Sequence, residues 1–138
     1  MAYLLDTCLL SEVWKPKPNA GVVVFLGQAA EDELFLSVLS LGEMRKGIER
    51  LTAGKKKERL VRDYLLLRSR FSSRVLAVTD TVAEQWGDLA ASSARAGRHL
   101  RVVDGLVAAT AMVAGLTIVT RNVADFAVTP VPVLDPWT

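Results

Sequence analysis

Five short apolar runs separated by longer stretches of helical spacing restrict what this chain can fold into. Tyr3-Leu4-Leu5, Leu34 to Val38, Val75 to Val78, Leu116 to Val119 and Val131 to Leu134 are brief and mostly aliphatic, as buried strands are. Between the first two, Leu9, Leu10, Val13 and Trp14 suit a helix, Lys15-Pro16-Lys17-Pro18-Asn19 breaks it, and Val22, Val23, Phe25, Leu26 and Ala29 resume the period. Helices are then expected from Ser40 to about Leu51 and from Lys55 to Phe71, the latter with Leu60, Tyr64, Leu65 and Leu67 inward. Two more run from Asp80 or Thr81 to about Ala96, and from Asp104 to Ala114, apolar nearly all round and ended by Gly115. Strands alternating with helices predict an α/β fold, a mostly parallel central sheet of about five strands with helices on both faces. Pro132 puts the last strand at an edge. A chain of 138 residues, 51% of them hydrophobic, supplies one core and one domain, residues 1–138.

Function in open α/β sheets gathers outside the carboxyl ends of the strands, and there the sequence places acids. Asp6 ends the first apolar run, Glu43 lies about a helical turn beyond the second, Asp104 opens the apolar helix, and Asp125 follows Thr120-Arg121-Asn122 after the fourth run. Carboxylates brought together repel, and a hard divalent cation bound by their oxygens removes the repulsion. If the fold makes them converge, the four acids are a metal site. Each also has an ordinary use: Asp6 or Thr7 as a helix cap, Ser40 with Glu43 as a capping box, Asp104 as an N-cap. The apolar surroundings of Asp6 and Asp104 favour the shared role, because charged side chains are rarely buried without partners.

Other chemistries find little support. No phosphate-cradling glycine loop occurs. His99 is the only histidine, has no second histidine or cysteine at zinc spacing, and reads as a surface or interface residue. Acyl transfer lacks both a nucleophile elbow and a histidine to spare. Cys8 is the only cysteine, which excludes an internal disulfide, suits a reducing cytoplasm and reads as a small buried hydrophobe. Trp14, Trp86 and Trp137 read as core or interface anchors. No leader peptide or membrane span is visible, so a soluble cytoplasmic protein is expected.

The net charge of +2 hides an asymmetry. From Arg45 to Arg74 eleven lysines and arginines face three acids, a local excess of +8, while the remainder carries −6. Such an arm is either a solvated helical hairpin or the footprint of a polyanion, with Lys46, Arg50, Lys55, Lys56 and Lys57 its candidate contacts.

Four fragments in order give the pattern a family likeness. Leu4-Leu5-Asp6-Thr7 with Ser11-Glu12, Leu36 to Met44 with Gly47, Asp104 to Ala111, and Thr120 to Phe126 together resemble the PIN-domain ribonucleases, and within them the VapC-type toxins of bacterial toxin–antitoxin pairs. Val133-Leu134-Asp135-Pro136-Trp137 is similar to the ending of one toxin subgroup. The resemblance implies a PIN-like fold and a metal-dependent endoribonuclease. In it Asp6, Glu43, Asp104 and Asp125 would hold Mg²⁺ or Mn²⁺, with Asp6 and Asp104 as direct ligands. Ser40 and Thr120 match supporting hydroxyl positions, and Asn122 competes with Asp125 for the fourth position. Cys8 stands where the family usually has asparagine. The partners implied are an RNA substrate cut to 5′-phosphate and 3′-hydroxyl ends, an antitoxin that blocks the site, and a second copy of the chain. Promoter DNA would be contacted through the antitoxin. A housekeeping RNA-processing nuclease and a non-catalytic RNA- or partner-binding module are the alternatives.

Overall fold

The apolar runs form one parallel sheet. The computed structural model describes residues 1–138 and places β1 (Tyr3–Leu5), β2 (Leu34–Ser37), β3 (Val75–Leu76), β4 (Thr117–Val119) and β5 (Val133–Leu134) in the order β3-β2-β1-β4-β5. Every pairing is parallel, with Leu4 beside both Phe35 and Ile118. The connections carry α1 (Thr7–Glu12), α2 (Ala20–Gln28), α3 (Val38–Glu49), α4 (Lys55–Arg70), α5 (Asp80–Arg95) and α6 (Val102–Ala114), with 3₁₀ turns at Glu31–Glu33 and Val123–Phe126. As Pro132 requires, β5 is an edge strand; the carbonyl of Pro132 still accepts from Ile118 N–H at 2.9 Å. No helix is long and apolar enough to cross a membrane.

Strand alternation divides the core in two. Leu5, Leu36 and Val119 point to one face and pack with Leu9, Leu10, Val22, Met44, Ile48 and Tyr64 from α1 to α4. Their neighbours Leu4 and Ile118 point to the other, against Val82 and Leu89 of α5 and Val107 to Ala109 of α6. Ala108, Ala109 and Ala111 are fully buried; their small side chains let α6 lie close to the sheet. Trp14 and Trp137 pack against the first cluster and Trp86 against the second, as anchors.

Two helix starts and one inward-facing position differ from expectation. The helix expected from Ser40, α3, begins at Val38, capped by Ser37, whose Oγ accepts from Leu39 N–H at 3.0 Å. Ser40 therefore lies inside α3, buried, and makes no capping box with Glu43. The apolar helix begins at Val102, so Asp104 sits within its first turn instead of capping it. Leu65 is 56% exposed. Leu60, Val61, Tyr64 and Leu67 form the inner stripe of α4, and position 65 falls well off that stripe at 100° per residue.

Candidate active site

The chain leaves β1 toward β2 and β3, then returns to β4 on the opposite side of β1. The strand ends of β1 and β4 thus flank the point where the order reverses, which is where such sheets open a crevice. Asp6 stands there. Its N–H donates to Val119 O at 3.0 Å, so the backbone is still held by the sheet. Its Oδ1 accepts from Thr7 N–H at 2.9 Å, and its Oδ2 accepts from Thr120 Oγ1 at 2.8 Å. Thr120 is fully buried and its hydroxyl oxygen also accepts from Asn122 N–H at 3.0 Å. The Cys8 thiol also donates to Asp6 Oδ2, at 3.8 Å, and lies 3.4 Å from Thr120 Oγ1. Burial pushes the Cys8 thiol above its ordinary range, which leaves it protonated and a poor nucleophile.

The other three acids arrive from three other elements. Glu43 projects from α3 and its Oε1 accepts from Thr7 Oγ1 at 3.0 Å, which ties α3 to the start of α1. Asp104 lies in the first turn of α6 and Asp125 in the 3₁₀ turn after β4. All four carboxylates line one open cleft of about 710 Å³, with Thr7, Cys8, Lys46, Arg101 and Asn122. The Asp104 carboxyl is raised above the usual carboxylate range, first by burial and then by the charge of Asp125; Arg101 opposes this, and Asp6 and Glu43 add to it. The acids therefore feel one another's charge. No three of them converge as tightly as a preformed metal cage requires; they ring the cleft. Hard carboxylate oxygens without a histidine or thiolate at their centre suit Mg²⁺ or Mn²⁺ better than a soft metal.

Asn122 also lines the cleft, and its backbone N–H is committed to Thr120. Asp125 rather than Asn122 carries charge to Asp104. Ser40 is buried in α3 and is not part of the cleft wall. The basic arm divides. Lys46 lines the cleft, and Lys56 with Arg59 lines an adjoining groove that shares Thr7 and Glu43 with it. Lys57 pairs with Glu49, and Arg70 and Arg74 with Glu31. Arg50 ends α3 and Lys55 opens α4, away from the cleft wall. Thr7 and Arg101 were not singled out by sequence. Thr7 reads locally as a cap alternative to Asp6, and Arg101 lay in what the sequence presents as a loop.

A PIN domain family model matches residues 3–130, nearly the full length. The chain belongs to the PIN domain family. This PIN domain is 35% identical to the toxin FitB of Neisseria gonorrhoeae over 138 residues, covering 97% of both chains. It is 29% identical to the VapC ribonuclease Y4jK of Sinorhizobium fredii, covering 97% of this chain and 96% of the relative. Among solved structures it superposes on a chain of the FitAB complex bound to an IR36 DNA fragment with a TM-score of 0.93 at 32% identity, covering 99% of this PIN domain and 96% of that chain. Both the expected family and the expected α/β architecture stand.

Proposed function

We propose that this protein is a metal-dependent endoribonuclease and the toxin of a toxin–antitoxin pair. The observation that carries the reading is the meeting of Asp6, Glu43, Asp104 and Asp125 in one cleft at the sheet's reversal point. Asp6 and Asp104 would be direct ligands of Mg²⁺ or Mn²⁺, with Glu43 and Asp125 completing the acidic ring. A hard cation bound there lowers the pKa of a coordinated water and offsets the charge that builds on phosphate oxygens. The protein's own contribution is positional. Thr120 and the Thr7 N–H fix both oxygens of Asp6, and the Thr7 hydroxyl fixes Glu43, so the carboxylates face the cleft without reorganising. Lys46, Lys56 and Arg59 border the same opening and would draw in the RNA backbone. The names of the FitB and VapC relatives support RNA as the substrate and toxin as the role. The FitAB complex on a DNA fragment supports a partner protein and DNA binding by the pair; an antitoxin as that partner, promoter contact through it and a homodimer are part of the same proposal.

The test is incubation of antitoxin-free protein with labelled tRNAs in Mg²⁺, Mn²⁺ or EDTA, beside Asp6→Asn and Asp104→Asn. Cuts that need metal, leave 5′-phosphate ends and vanish in both folded variants are the expected result. Equal cutting by wild type and variants would refute the assignment of the site.

A further inference from the structure

The cleft holds two cations that form no ion pair with its acids. Lys46 projects from α3 and Arg101 from the start of α6, helices packed on opposite faces of the sheet, and both residues are exposed. The molecule's ion pairs use the N-terminus, Lys15, Arg45, Lys57, Arg70 and Arg74. Neither Lys46 nor Arg101 is within pairing distance of any of the four carboxylates that share their cleft. Lys46 continues the basic arm, whereas Arg101 comes from the helix on the other face of the sheet.

Arg101 also occupies its position against local preference. It is the N-cap of α6, with extended φ and ψ, and gives the helix no side-chain cap. A Ser, Thr, Asp or Asn there would satisfy a free N–H, and a cation at a helix's positive end is repelled by the dipole. Rules broken this way mark functional positions more than structural ones. The loop that presents the side chain is also held. Ser93 Oγ donates to Arg98 O at 2.6 Å, Arg98 N–H donates to Ser93 O at 3.0 Å, and Leu100 packs into the α5–α6 core. Anchoring the residues before it leaves Arg101 displayed at the rim with little backbone entropy to lose on binding.

Resting on the nuclease reading above, we propose that Arg101 is a substrate-positioning residue that grips an RNA phosphate on the α6 side of the scissile bond. The strand then crosses the acidic ring, entering over Lys46 and the adjoining groove of Lys56 and Arg59 and leaving over Arg101. A guanidinium suits this task because its fork meets phosphate oxygens bidentately. Two grips on opposite sides hold the intervening phosphate over the carboxylates, whereas the basic arm alone would fix only one end.

The experiment measures binding of fluorescein-labelled oligouridylate and tRNA in EDTA across a salt series, with cleavage in Mg²⁺ and Mn²⁺ measured separately, for wild type, Arg101→Ser, Arg101→Ala and Arg101→Lys. Loss of the grip should weaken binding about tenfold and flatten the plot of log affinity against log salt by about 0.7, with Arg101→Lys keeping the slope. Arg101→Ser should at the same time raise Tm by about 2–4 °C, since it supplies the missing cap. Weaker binding in a more stable protein is a signature that a structural residue does not give. An unchanged slope with cleavage intact overturns the phosphate grip and leaves the nuclease standing. An Arg101-dependent slope without any metal-dependent cutting retains the grip and refutes the nuclease. A variant that melts lower and binds normally makes Arg101 an electrostatic partner of Asp104 and overturns the proposal, and wild type that neither binds nor cuts overturns both.

Discussion

Asp6 is held at both carboxylate oxygens, and Thr120 provides the contact that spans the sheet's reversal point. Thr120→Val keeps the shape, removes the proton given to Oδ2 and leaves the Asn122 N–H without its acceptor. On the proposed reading Asp6 is a metal ligand, and groups that orient such a ligand are worth about 10–100-fold in affinity or activity. Thr120→Val should therefore lose that much metal-dependent cleavage while its circular dichroism is unchanged; full activity would remove Thr120 from the site. Asp104 makes the opposite case, a carboxylate whose burial and acidic neighbours oppose its ionisation. Replacing it by Asn relieves the repulsion, so metal-free Asp104→Asn should melt above metal-free wild type. Addition of Mn²⁺ should raise the melting temperature of wild type and leave that of Asp104→Asn nearly still, and equal shifts in the two would place the ion elsewhere.

Helices position these residues, and their packing carries its own tests. Gly105 follows Asp104 at the contact of α6 with α5, where an added Cβ would lie 2.8 Å from Trp86 Cδ1 and 3.2 Å from Leu100 Cδ2. Gly105→Ala must push α6 away from Trp86, at a cost of about 1–3 kcal/mol, which thermal melting would register. At the opposite face Glu12 ends α1 and links it to α2, accepting from Lys15 Nζ at 3.0 Å and Asn19 N–H at 2.9 Å. The Lys15 contact first, then the Asn19 N–H, holds the Glu12 carboxyl below its usual range. A depressed carboxyl stabilises the fold above its unfolded-state value, and that contribution is lost as pH falls through the lower folded-state value. Glu12→Gln should thus melt below wild type at neutral pH and converge with it in acid; a gap independent of pH would mean that shape, not charge, matters at this position. Sequence showed most elements because their periods were strong, and it showed the acids because strand ends are where such sheets work. It misplaced two helix starts for definite reasons. Ser37 and Ser40 compete as caps, and only the pairing of Ser37 with Leu76 on β3 shows that the strand reaches the first of them. The start of α6 carries no capping side chain at all, so nothing local announces Val102, and Arg101 stayed hidden with it.

Charge is distributed so that four acids share a cleft and its adjoining groove with the unpaired bases Lys46, Lys56, Arg59 and Arg101. Cleavage should therefore slow as salt rises, log kcat/KM falling by about 0.7 per phosphate contact for every unit of log salt; a flat profile would mean that the bases do not hold the substrate. The order of the strands has a further consequence, in time. Tyr3–Leu5 is made first yet lies at the centre of the sheet, and one of its two neighbours, Thr117–Val119, is made near the end. Until Val119 and Thr120 exist, Asp6 has neither its backbone partner nor the hydroxyl that orients it. A chain stopped at Ala114 should accordingly show no protease-resistant core, and resistance would argue that the first half folds by itself. On this topology a nascent polypeptide would leave the ribosome harmless, and the proposed capacity to cut RNA would come only once Val119 and Thr120 have been added.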